Sequence, residues 1–168
     1  MNKKLVISIA VFALVIIAGC SNKHTKADND NGIDELQATD QVTESNNEAK
    51  LLAGSQSGYY TFTQEAYEQA LKDNKVILLY FYANWCPICK LEEPKARQAF
   101  NELNDPNIVG FRVNYKDSDT DKDEEILAKE FQIPYQHTKV IIKDGKQVLK
   151  APDSWGNDRY IQELTKVA

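Results

Sequence analysis

The chain has 168 residues, 42% of them hydrophobic and 27% charged, which suits one globular domain plus additional segments. A net charge of -5 offers no basic surface for nucleic acid. Its 3 cysteines, Cys20, Cys86 and Cys89, are too few for a disulfide scaffold.

Residues 1–19 read as a targeting segment. Lys3 and Lys4 form a short positive region, Leu5 to Ala18 is almost unbroken apolar sequence, and Ile17-Ala18-Gly19-Cys20 follows. The run is short for a membrane span, which needs roughly 20 apolar residues. Its end resembles a bacterial lipobox, which implies that Cys20 carries lipid, begins the mature chain and stays out of any redox chemistry. Residues 20–58 are rich in Asn, Asp, Ser, Thr, Gln and Glu. From Ser21 to Gly58, three lysines face seven acids. Such a segment cannot bury enough apolar surface to offset the entropy of ordering, so it reads as a flexible tether, with at most a weak helical patch near Glu48 to Leu52.

Residues 59–168 read as the folded domain. Gln64 to Asp73 places Ala66, Tyr67, Ala70 and Leu71 on one helical face, with Thr63 as N-cap. Val76 to Tyr82 is apolar throughout, as in a strand covered on both faces. A helix follows from the cysteines to about Leu103, with Pro94 expected to kink it. Val109, Phe111, Val113 and Tyr115 alternate with Gly110, Arg112 and Asn114, as in a strand. An acidic loop then leads into a helix containing Ile126, Leu127 and Phe131. Thr138 to Ile142 and Gln147 to Lys150 flank an Asp144-Gly145 turn, which predicts a hairpin. A last helix runs from about Asp158 to Val167. Strands alternating with helices and closing in a hairpin predict an α/β sandwich with a mixed sheet of about four to five strands.

The most informative stretch is Trp85-Cys86-Pro87-Ile88-Cys89-Lys90, directly after the apolar strand. Two intervening residues put both thiols in the first turn of a helix, close enough to bridge. Unpaired N–H groups and a partial positive charge there favour a thiolate, the species that attacks disulfides. Cys86 is expected to be the exposed attacker and Cys89, one turn deeper, the resolving thiol. Pro87 suits the first helical turn, where no N–H is needed.

From Tyr59 to Ala168 the chain resembles the thioredoxin fold. The resemblance rests on Phe81-Tyr82-Ala83-Asn84-Trp85-Cys86-Pro87-Ile88-Cys89-Lys90, on Pro94 five residues after the second cysteine, and on the Lys143-Asp144-Gly145 hairpin. It implies a thiol–disulfide oxidoreductase with no organic cofactor and no resident metal. Its partners would be protein thiols or disulfides and a separate redox partner. As a whole the chain is similar to thioredoxin-like lipoproteins of bacterial envelopes. That implies a monomer held by lipid on the extracytoplasmic face of the cell membrane.

The pattern also departs from the family. The cis-proline that usually faces the cysteines falls on His137, in Gln136-His137-Thr138. A non-proline cis bond costs about 3 kcal/mol, so a trans bond is expected. A His137→Pro replacement is expected to restore the cis bond. The family's buried carboxylate falls on Tyr80, a poor base near neutral pH. Arg112 falls near the site, either beside the Cys89 sulfur or on the strand surface. Trp85 either packs over the cysteines or rims a substrate groove. Glu92 and Glu93 are substitute bases or solvated residues. His137 is either a turn residue or, with Cys86 and Cys89, part of a Zn or Cu(I) site in a metal carrier. Asp117 to Asp123 begins like a calcium loop but has Lys122 and Ala128 where Gly and Glu are required. It is therefore expected to be a solvated loop with Thr120 or Asp121 capping the next helix.

Overall fold

A computed structural model describes residues 48–168. The leader, Cys20 and most of the expected tether lie outside the described residues.

Ten elements follow one another: β1 (Leu51–Ala53), β2 (Gly58–Thr61), α1 (Gln64–Lys72), β3 (Val76–Tyr82), α2 (Pro87–Glu102), β4 (Ile108–Asn114), α3 (Lys122–Glu130), β5 (Lys139–Lys143), β6 (Lys146–Ala151) and α4 (Asn157–Thr165). The strands form one sheet in the order β1-β2-β4-β3-β5-β6. β2, β4 and β3 are parallel, whereas β1, β5 and β6 run antiparallel to their neighbours.

The apolar run of β3 is explained by its central place. Val76, Leu78 and Tyr80 point to one face, into a core shared with Ala96, Ala99 and Phe100 of α2 and Tyr160 and Leu164 of α4. Ile77, Leu79 and Phe81 point to the other, against Tyr67 and Ala70 of α1 and Leu127 and Ala128 of α3. Period-two side chains thus feed two cores at once.

Local signals set several element ends. Thr63 Oγ1 accepts from the Ala66 N–H at 3.2 Å and starts α1. Asp121 and Glu124 form a reciprocal capping box that starts α3, so the acidic loop ends in a helix cap. Asp144 and Gly145 both have positive φ, 51° and 68°, as a two-residue turn of the I′ type requires. α2 continues through Pro94 to Glu102.

The sheet has six strands, more than the four to five expected. The two extra strands lie at the start of the domain. Leu51 to Ala53 is strand, not a helical patch. Its pairing with β2 places it inside the domain, although residues 20–58 read as tether. Ser57 is fully buried: its Oγ donates to the Asp105 carbonyl at 2.7 Å and accepts the Asp105 N–H at 3.1 Å. β1 and β2 are three and four residues long, too short to show alternation. β2 takes its conformation from β4, a partner distant in sequence, and β1 in turn pairs with β2.

Two consequences of the topology build the site. The carboxyl ends of β3 and β4 lie side by side, where crevices form in parallel sheets. Antiparallel β5 begins at the same end, which brings residues 135–138 next to the end of β3.

Candidate active site

β3 ends at Tyr82, and Ala83, Asn84 and Trp85 lead into α2. Cys86 is the N-cap of α2, with extended backbone, and its Sγ accepts the Cys89 N–H at 3.2 Å. That bond strengthens when the acceptor is anionic. Pro87 occupies the first turn, as its missing N–H allows.

Both cysteines are free thiols, and both are buried. Cys86 is only 1% exposed, against 0% for Cys89, so the expectation of an exposed attacker is corrected. The capping position turns the Cys86 sulfur back over the helix end, beside Ala83 and Cys89. Exposure does not separate the two thiols. Burial pushes the Cys89 thiol up to about 12, with the neighbouring Cys86 adding to the effect. Cys89 is therefore a protonated thiol at neutral pH.

His137 stands opposite. One ligating atom each from Cys86, Cys89 and His137 lie within 4.8 Å of one another. The His137 backbone has φ 56°. Its N–H donates to the Phe81 carbonyl at 2.7 Å, and the Phe81 N–H donates to the Thr138 carbonyl at 2.9 Å. Burial lowers the imidazole's pKa, and the Lys139 charge lowers it further, so the ring is neutral at neutral pH. Nδ1 is buried without a hydrogen-bond partner. Proline cannot adopt this positive φ and has no N–H for Phe81. A proline at 137 would lose the bond to Phe81 and could not keep the observed backbone. Thr138 is fully buried, and its Oγ1 donates to the Tyr135 carbonyl at 2.8 Å.

The other expected neighbours sort out as follows. Trp85 is 53% exposed and its indole N–H donates to the Lys116 carbonyl at 2.9 Å, so it belongs to the rim. The Asn84 N–H donates to Asp117 Oδ2 at 2.7 Å, so the acidic loop grips the segment before the cysteines. Arg112 neither touches the thiols nor lies at a sheet edge. It stands on the internal strand β4, 3.7 Å from Glu93 and over the Tyr82 ring. Tyr80 is buried beside Cys89 without a well-formed hydrogen bond. Burial and the Glu92 charge raise its pKa far above 10, so it stays protonated.

The sequence reading missed the polar core behind the site. Glu92 is 2% exposed and Lys139 0%. Lys139 Nζ donates to Glu92 Oε1 at 2.7 Å. Periodicity held the signal: Glu92 falls on the inward α2 face with Cys89, Ala96 and Ala99, and Lys139 alternates in phase with buried Ile141. Side-chain charge outweighed it, since Lys and Glu are almost never fully buried unless paired.

A mixed sheet, a C-x-x-C pair at the N-terminus of the helix after its central strand, and an opposing turn before the antiparallel strand define the thioredoxin fold class. A family model, Thioredoxin, matches residues 58–166, and the chain belongs to that family. It is similar to a thioredoxin of Mycobacterium bovis, 29% identical over 97 residues, covering 58% of this chain and 78% of the relative. It is also similar to a protein disulfide-isomerase of Aspergillus oryzae, 33% identical over 66 residues, covering 39% of this chain and 13% of that protein. Among solved structures, thioredoxin from Aeropyrum pernix matches with a TM-score of 0.54 at 20% identity, covering 71% of this chain and 94% of that one. This likeness speaks for the fold. Homologues in the family are thiol–disulfide oxidoreductases, and this chain is a thioredoxin-like redox protein. The names of these relatives lend no support to a metal carrier.

Proposed function

We propose that the protein is a membrane-tethered thiol–disulfide oxidoreductase acting outside the cytoplasm, with Cys86 as nucleophile and Cys89 as resolving thiol. The carrying observation is the Cys86 sulfur at the N-cap of α2, accepting the Cys89 N–H, with a buried protonated thiol beside it.

In the reducing direction the Cys86 thiolate attacks one sulfur of a substrate disulfide. The substrate S–S bond breaks, the departing thiolate takes a proton, and a mixed disulfide remains. Cys89 gives up its proton and attacks the Cys86 sulfur, which releases the second substrate thiol and leaves a Cys86–Cys89 disulfide. Two electrons and two protons pass to the substrate, and a dithiol partner must restore the pair. Run backwards, the same steps oxidise a substrate dithiol. Direction follows from the potential of the pair against its partners. Because Cys86 is buried, attack requires local opening around it.

Reduction of a protein disulfide by wild type, Cys86→Ser and Cys89→Ser tests the assignment. Cys86→Ser is expected to be inactive, and Cys89→Ser is expected to accumulate a mixed disulfide. Trapping by Cys86→Ser instead would exchange the roles.

The tether is supported by the Lys3-Lys4 leader, the apolar run and the Ile17-Ala18-Gly19-Cys20 ending. Lipid on Cys20 would hold a monomeric domain at the outer face of the cell membrane.

A second reading rests on the convergence of Cys86, Cys89 and His137 within 4.8 Å. Two soft sulfurs and a neutral imidazole suit Zn²⁺ or Cu⁺. Metal titration of the reduced protein tests it: equal affinity in wild type and His137→Ala would remove this reading.

A further inference from the structure

Among the described residues, Glu92–Lys139 is the one ion pair with both side chains essentially fully buried. Lys139 Nζ has three acceptors, matching its three protons: Glu92 Oε1 at 2.7 Å, the His137 carbonyl at 2.7 Å and the Asp153 carbonyl at 2.5 Å. Glu92 Oε1 also accepts the Trp155 N–H at 2.8 Å and the Tyr160 hydroxyl at 2.9 Å. The pair therefore joins four parts of the chain: helix α2, the turn before β5, the segment before α4, and α4 itself.

Its link to the turn reaches the thiols. The His137 main chain is held on both sides, through its N–H by Phe81 and through its C=O by Lys139. Its φ of 56° is uncommon for a residue with a side chain, and such backbone persists where its surroundings over-determine it. The imidazole carried there lies opposite both sulfurs. The other end of the link, Glu92, sits one helical turn after Cys89 on the same face of α2. Fold stability alone is a weak reason for such a pair, because well-packed apolar replacements are often neutral or stabilising.

We propose that Glu92 and Lys139 are positioning residues for thiol–disulfide exchange: the buried pair locks the His137 turn to the helix that carries Cys89 and so sets the wall of the site against both thiols. The proposal rests on the oxidoreductase reading. Misplacing reacting groups by about 1 Å can cost 100-fold in rate, so a lock of this kind has a kinetic signature.

The test compares wild type with the double variant Glu92→Leu/Lys139→Met, which removes both charges together and the donor to the His137 carbonyl. The probe is oxidised glutathione. With the unfolding midpoint kept, the rate constant for exchange is expected to fall about tenfold or more. The reduction potential of the pair is expected to move, and the His137 and Thr138 amides are expected to exchange hydrogen about tenfold faster. A folded double variant with the wild-type rate, potential and amide protection overturns the proposal. Wild-type protein supplies a second measurement that needs no variant: hydrogen exchange of the His137 amide and the Lys139 ammonium in dithiol and disulfide forms. Protection in both forms supports the lock, and its loss in either overturns it. Wild type that fails to react with disulfides sinks the oxidoreductase reading itself, and this is seen before any variant is compared.

Discussion

At the scale of single residues, burial decides the chemistry more than residue type does. Burial pushes the Cys89 thiol up to about 12, which keeps it protonated near neutral pH and fits its proposed role as the resolving thiol. Cys86 is expected to be alkylated at least about tenfold faster than Cys89 in the reduced protein, as mapped by mass spectrometry. Preferential labelling of Cys89 would reverse the order. His137 gives a second test. Its positive φ and its N–H bond to Phe81 are both incompatible with proline, so His137→Pro is expected to cost about 3 kcal/mol or more. Denaturant titration measures it, and an unchanged midpoint would contradict the observed backbone. Glu124 supplies a pH dependence. Burial pushes its carboxyl up from 4.5 to about 7, against the pull of the N–H groups of Asn114 and Asp121. The unfolded chain then loses this proton at lower pH than the folded one. The stabilising contribution is complete below the unfolded value and is lost as pH rises towards about 7, by about 3 kcal/mol. Glu124→Gln is expected to flatten that part of the stability–pH curve relative to wild type.

At the scale of elements, the clearest sequence signals are those that act within a few residues. Thr63 capping α1, Pro87 in the first turn of α2 and the Asp144-Gly145 turn were legible because each depends on local backbone geometry. Gly145, at φ 68°, makes the turn checkable: Gly145→Ala is expected to cost about 1–2 kcal/mol. β1 and β2 were not legible, because three- and four-residue strands are specified by the strand beside them. Their place in the sheet redraws the domain boundary. Removal of residues 21–47 is expected to leave the unfolding midpoint in place. Removal of residues 21–58 takes away β1, the buried Ser57 and its two hydrogen bonds to Asp105, and is expected to cost about 2 kcal/mol or more. Equal midpoints for the two truncations would show that β1 adds nothing to the domain. The α2 face was half-legible. Cys89, Ala96, Ala99 and Phe100 marked the inward stripe, but Glu92 on that stripe looked like a solvated charge until its partners Lys139 and Tyr160 were known.

At the scale of the whole molecule, the expected location depends on the chain before the domain. If Cys20 carries lipid, Cys20→Ala is expected to move the protein from the detergent phase to the aqueous phase. Unchanged partitioning would point to an uncleaved anchor instead. The sequence by itself determined the α/β architecture, the two faces of β3 and the placing of Cys86 and Cys89 at the start of one helix. These follow from periodicity and from short-range spacing, which are properties of neighbouring residues. Only the tertiary structure decided that Cys86 is buried, that Arg112 turns to Glu93, that His137 takes a left-handed backbone opposite the thiols, and that Glu92 and Lys139 meet in the core. Each of these depends on groups far apart in the chain: Glu92 and Lys139 are 47 residues apart, and His137, in the turn before β5, is held by Phe81 of β3. A charge is stable in a core only when its partner is there, and the sheet order, not the local sequence, brings that partner in.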